Sequence, residues 1–188
     1  MVIDRGTELK NGLIRLYPPN LKDAPGLYAA VRESINSLKP WMSWCHDNYA
    51  IEETIQWIEH LPNAWENDLE YQFVITEAGT GTILGGCGLN RIDRAYQMAN
   101  LGYWVISSHR GEGFAGQAAR LVAQFAMEHL GLVRVEIVVA VGNQASLRVA
   151  EKLTATREGV LRNRILIRGT PHDAVMHSLI PQDFTQDK

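Results

Sequence analysis

Long hydrophobic runs are missing from this chain of 188 residues. The longest unbroken apolar stretches, such as Ile137 to Val141, hold about five residues, whereas a membrane-spanning helix needs roughly 20. No membrane partner is therefore expected. Cysteine is equally scarce: Cys45 and Cys87 stand alone, outside any CxxC pair, which excludes a secreted disulfide framework and points to a reducing cytoplasm. The first residues carry charges of both signs and no apolar core, so no signal peptide is read there. Net charge of one sign is absent too. Eighteen Lys and Arg against 21 Asp and Glu leave −3, with no global attraction to DNA, RNA or an anionic surface. The six histidines include no HExxH, and His172 and His177, five apart on a strand, would face opposite sides; no metal site is expected. Repeats and low-complexity tracts are also lacking, so residues 1–188 read as a single domain. Nothing in the pattern speaks to oligomeric state, and a homodimer stays open.

What is present is a mixed pattern of strands and helices. Leu13 to Tyr17 reads as a strand closed by Pro18-Pro19, and Leu27, Ala30 and Val31 begin a helix after Asp23 and Pro25. A Pro-broken segment containing Trp41 and Trp44 follows, then a helix over Ile51 to Leu61. From Tyr71 the period falls to two. Tyr71, Phe73 and Ile75 form one strand, Gly79-Thr80-Gly81 turns, and Ile83 to Leu89 returns antiparallel. Gln97 to Asn100 is expected to turn the chain into a third strand, Ala99 to Ile106. A glycine loop then leads into an amphipathic helix over Gly116 to Leu130. Val133 to Val141 is expected beside the preceding strand in parallel, since a helix connects them. A short helix over Ala145 to Leu153 and two strands, Val160 to Ile167 and Ala174 to Ile180, complete an α/β sheet with helices on its faces. Glu136 is expected at a solvated edge or paired to a helix, and Arg162, Arg164 and Arg168 on a solvated strand face that could alternatively attract a phosphate or RNA.

The segment Arg110-Gly111-Glu112-Gly113-Phe114-Ala115-Gly116 lies between strand and helix. Glycines let backbone N–H groups converge without side-chain obstruction, and the helix macrodipole adds about half a positive charge at that end. The natural guest is a phosphate or pyrophosphate; the plain alternative is a turn that only links two elements. Gly111, Gly113 and Gly116 also spell GxGxxG, with Glu136 20 residues on, as in dinucleotide-binding domains. That reading fails on two counts: only 72 residues follow Gly116, and Glu136 precedes apolar residues instead of ending a strand.

Parsed instead as Arg110-x-x-Gly113-x-Ala115, the loop resembles that of the GNAT superfamily of acyl-CoA-dependent N-acetyltransferases. The similarity continues in order through Leu101-Gly102-Tyr103-Trp104, Arg134-Val135-Glu136-Ile137, Val141-Gly142-Asn143-Gln144-Ala145-Ser146 and Arg157-Glu158-Gly159-Val160-Leu161-Arg162. Leu38-Lys39-Pro40-Trp41-Met42 and His172-Asp173-Ala174-Val175-Met176 are similar to the subgroup that acetylates N-terminal residues of ribosomal proteins. The resemblance implies a mostly antiparallel mixed sheet with a splayed parallel strand pair. It implies acetyl-CoA as cosubstrate, held by Val105 and Ile106 along its arm, by Arg110, Gly111, Glu112, Gly113, Phe114, Ala115 and Gly116 at its diphosphate, and by Asn143 and Ser146. Ser146 would donate a proton to the departing sulfur, Tyr103 would act as acid or water anchor, and Trp41 and Trp44 would roof an acceptor cleft.

The proton acceptor is less legible. The subgroup pattern implies a carboxylate on the strand after Glu158-Gly159, where this chain has Ile165; Glu158, Glu136 or a bound water are the substitutes. The acceptor is expected to be a protein N-terminus or a small amine. A catalytically silent acyl-CoA-binding module is the competing reading, motivated by Ile165 and opposed by Ser146. A second departure is Leu153-Thr154-Ala155, where the family commonly shows Leu-Gly-Phe.

Overall fold

The structure is a computed structural model that describes residues 6–185. Eight strands form one sheet: β1 (Leu9–Lys10), β2 (Ile14–Tyr17), β3 (Tyr71–Glu77), β4 (Ile83–Asp93), β5 (Met98–Val105), β6 (Arg134–Ala140), β7 (Thr156–Ile167) and β8 (Thr170–Leu179). Their spatial order is β1-β2-β3-β4-β5-β6-β8-β7, antiparallel throughout except for the β5–β6 pair. Four α-helices cover it: α1 (Ala24–Leu38), α2 (Ile51–Glu66), α3 (Phe114–Glu128) and α4 (Gln144–Lys152).

The strand period of two divides the core between the faces. Phe73 and Ile75 pack with Ala118, Val122, Phe125 and Ala126 of α3, while Val74 between them packs with Leu27 of α1 and Ile58 of α2. Both faces of β3 are covered, which is why Phe73-Val74-Ile75 is uninterruptedly apolar. Ala150 and Leu153 put α4 against the same cluster as α3. No helix among the described residues is long and apolar enough to cross a membrane.

Several boundaries differ from the sequence expectation. The turn before β5 is made by residues 94–97, with Gln97 at φ 51°, and Met98 to Asn100 already pair as strand. Helix α3 starts at Phe114, not Gly116, so half of the glycine loop is helix first turn. β7 begins at Thr156, and two bulges interrupt its pairing with β8. Glu136 is not solvated: it is only 8% exposed and accepts from Arg134 Nε at 2.9 Å. Arg168 is not on a free face either, since it is bonded to two carbonyls of the α1–α2 connection.

What positions the site is the divergence of β5 from β6. They pair in parallel only from Met98↔Arg134 to Asn100↔Glu136. Beyond that, β5 continues against β4 to Val105 and β6 continues against β8 to Ala140. The sheet therefore splits between residues 101–105 and 137–140.

Candidate active site

The glycine loop sits at the mouth of this split. Gly111 and Gly113 both adopt φ +89°, a conformation costly for any residue with a Cβ, and Gly113 is the N-cap of α3. No side chain caps that helix. A Cβ placed at Gly111, Gly113 or Gly116 would meet nothing within 4 Å, so the loop faces open space. The first-turn amides of a helix lack intrahelical acceptors, and here they face that space under the positive end of the dipole.

From this loop a cavity of about 710 Å³ runs along α4 to the α1–α2 connection, within the range of sites for sizeable ligands. Its walls include Val105, Arg110, Gly111, Gly113, Phe114, Ala115, Gly116, Asn143, Ser146, Tyr103 and Trp41. Arg120 of α3 and Arg148 and Lys152 of α4 join Arg110 in the lining, and among the described residues no Asp or Glu does. In a chain with a net charge of −3, that segregation of cations marks the cavity for an anionic ligand. Among the described residues, no group of three or more His, Cys, Asp or Glu is placed to hold a metal ion.

At the inner end the split is bridged. The Tyr103 hydroxyl, on β5, donates to the Ser146 carbonyl at 3.2 Å and shares a 3.0 Å hydrogen bond with Ser146 Oγ. Burial pushes the phenol up to about 12, against a smaller opposing effect of the Ser146 hydrogen bond. Tyr103 is thus a protonated donor at neutral pH. Ser146 is aimed there by its helix: Asn143 is the N-cap of α4, and its Oδ1 accepts from Ser146 N at 3.2 Å.

Four expected site residues are not brought to the cavity. Ile106 is 4% exposed and turned into the main core, with its N–H still donating to Leu84 O across the sheet. Glu112 is exposed and does not line the cavity. Trp44 is 41% exposed and packs edge-on against Trp104 and Tyr49 instead of facing the ligand space. Glu158 does not line the cavity: it accepts two 2.6 Å hydrogen bonds from Arg134 and one of 2.7 Å from Ser178. Conversely, Trp104, Ser37, Met42, Gln117, Arg120, Arg148 and Lys152 line it without having been singled out. Helical spacing was the available signal, since Arg120 follows Gly116 by four residues and Lys152 follows Arg148 by four.

The Arg134 guanidinium, then the Ser178 hydroxyl, hold the Glu158 carboxyl down at about 2. A group so acidic is a poor proton acceptor at neutral pH. Its stabilising contribution is present above the ordinary 4.5 and is lost as pH falls toward 2. Glu158→Gln is therefore expected to flatten the decline of the melting temperature over that acid window, measured by thermal unfolding at stepped pH; an unchanged decline would remove the pair from the acid response.

A profile for the Acetyltransferase (GNAT) domain matches residues 14–156. The chain belongs to the GNAT family. Two Bacillus subtilis relatives provisionally named N-acetyltransferases match nearly its whole length. YjcK is 33% identical over 182 residues, covering 95% of this chain and 99% of its own. YdaF, provisionally named a ribosomal N-acetyltransferase, is 30% identical over 178 residues, covering 93% and 94%. Among solved structures, the microcin C7 self-immunity acetyltransferase MccE in complex with acetyl-CoA and AMP superposes with a TM-score of 0.82 at 26% identity, over 90% of this chain and 93% of that one. This GNAT chain is an N-acetyltransferase with the family's mixed sheet and parallel strand pair, and GNAT enzymes use acetyl-CoA.

Proposed function

We propose that this GNAT chain acetylates the N-terminal amine of a ribosomal or other protein, using acetyl-CoA bound in the cavity described above. The observation that carries the reading is the continuity of one space, from a glycine-headed helix N-terminus among cations to the Tyr103–Ser146 pair at the sheet split. The loop amides of residues 111–116 and Arg110 would hold the diphosphate, Val105 and Asn143 the arm, and Arg148 and Lys152 further negative charge. Acetyl-CoA supplies an activated thioester when bound.

The chain's own groups then supply a proton and an environment. Ser146 Oγ and the Tyr103 phenol, 3.0 Å apart, hold a proton where the sulfur departs, and either hydroxyl can replenish the other. Among the described residues no carboxylate lines the cavity, and Ile165 stands where the subgroup pattern implies one. The acceptor amine is consequently made neutral by desolvation against apolar walls and loses its proton to water. Trp41 and Met42 supply such walls from the α1–α2 connection.

The protein acceptor is supported by the likeness to YdaF and by the ordered motifs of the ribosomal-protein subgroup. A panel of Ser- and Ala-initiated peptides, N-blocked peptides and small polyamines, scored by acetyl mass increment, tests it. Turnover confined to free peptide N-termini is expected. Turnover confined to polyamines would reassign the acceptor, and CoA binding without turnover of any amine would favour a silent module. Ser146→Ala is expected to lower kcat at little change in CoA affinity, measured by steady-state kinetics and calorimetry; an unaltered rate would remove Ser146 from the proton path.

A further inference from the structure

The acceptor end of the cavity is walled by a segment that is tied to a distant hairpin through one side chain. β7 and β8 are joined by a tight turn in which Arg168 has φ +49°, Gly169 has φ +77°, and Ile167 pairs with Thr170. Positive φ at both central residues is the turn geometry that matches strand twist, and it fixes the root of the Arg168 side chain. From there Arg168 Nη2 donates to the carbonyl of Lys39 at 2.8 Å and to that of Cys45 at 3.1 Å. These two carbonyls bracket the residues that carry Trp41 and Met42 into the cavity wall.

Each end of this tie rests on buried structure. Cys45 is fully buried and Ile167 is 8% exposed. On the other side of the segment, Lys39 Nζ pairs with Asp47 Oδ1 at 2.8 Å, and Arg32 Nη1 donates to Asp47 O at 2.8 Å. Trp41 also lies against Gly142, where an added Cβ would approach its ring to 3.2 Å. The wall is therefore held at α1, at the β6–α4 loop and at the β7–β8 turn, and the last of these holds depends on a single flexible side chain.

We infer that Arg168 is a positioning residue for the acceptor amine: it holds residues 39–45 so that Trp41 and Met42 close the acceptor end of the cavity, while the glycine-loop end is left untouched. The two N–H bonds of its Nη2 meet both carbonyls, and the planar guanidinium fixes their directions, which a freely rotating lysine ammonium does not. The inference rests on the acetyl-acceptor reading above, so its test has one arm that needs no turnover.

In that arm, amide hydrogen exchange is compared between wild type and Arg168→Ala. At least about tenfold faster exchange is expected at residues 41–45, with residues 111–116 unchanged. In the kinetic arm, Arg168→Ala is expected to raise the KM for the acceptor about tenfold while the KM for acetyl-CoA stays within about twofold, and Arg168→Lys is expected to recover part of that loss. Unchanged exchange at residues 41–45 overturns the tie itself. Faster exchange with an equal rise in both KM values, or with neither altered, overturns its role toward the acceptor. If the alanine variant does not fold, Arg168→Lys carries the same comparison with smaller expected changes in the same sense. Lack of turnover in wild type would defeat the acceptor reading alone and leave the exchange result to decide the tie.

Discussion

Tyr103→Phe is expected to lower kcat about 100-fold, with CoA affinity within about twofold of wild type. The substitution removes one oxygen and leaves the ring, so packing in the cluster of β5 and α3 is preserved. It deletes both contacts to Ser146, at 3.0 and 3.2 Å, and leaves the half-buried Ser146 hydroxyl without its proton partner. A lone Ser146 is a far weaker acid than a serine and phenol sharing a hydrogen bond. The two residues act as a unit, so Tyr103→Phe with Ser146→Ala should cost little more than the worse single change.

The pH profile checks the same claim with a defined sign. Tyr103 serves as a donor only while protonated, and burial keeps it so up to about pH 12. Wild-type kcat should therefore show no loss from phenol ionisation near the ordinary value of 10. A basic limb near that ordinary value that disappears in Tyr103→Phe would place the phenol in a wet, unshifted environment and sink the assignment.

Gly85→Ala is the substitution expected to cost most stability. Gly85 sits at φ +150° where β4 pairs with Val105 of β5, beside a bulge in its pairing with β3. An added Cβ would lie 2.1 Å from Trp104 O and 3.0 Å from Val105 Cα. Those are backbone atoms, and no rotamer change relieves them. β5 must separate from β4 just where it carries Tyr103, Trp104 and Val105. A loss of about 3 kcal/mol or more is expected, or a melting temperature about 6–12 °C lower, with activity falling in parallel. Gly12→Ala is the control, because a Cβ added there would meet nothing within 4 Å and the melting temperature should hold. Equal melting temperatures for the two variants would show that the β4–β5 contact yields easily.

The glycine loop was readable in the sequence because its chemistry is local. Positive φ, absent side chains and a helix dipole all belong to seven consecutive residues. Strands β3 to β6 were readable for a related reason: burial on one or both faces writes itself into consecutive side chains. Ile106 and Glu112 were misplaced because neighbours in sequence alternate between inside and outside, and the curl of the loop decides which is which. Trp44 was misplaced because indole packs as readily on Trp104 as on a ligand. Glu158 was misread because its partners, Arg134 and Ser178, come from two other strands.

The chain's own order of residues determined a glycine-headed helix N-terminus, an alternating sheet and a serine in the first turn of a capped helix, since each follows from interactions within a few residues. The tertiary structure alone decided that Tyr103 meets Ser146, 43 residues away, that four cations gather where none of the described carboxylates does, and that Arg168 reaches carbonyls 129 and 123 residues distant. Contacts of that kind depend on strand order and on where two strands part. No periodicity in sequence records either, because both are set by how all the elements share one core.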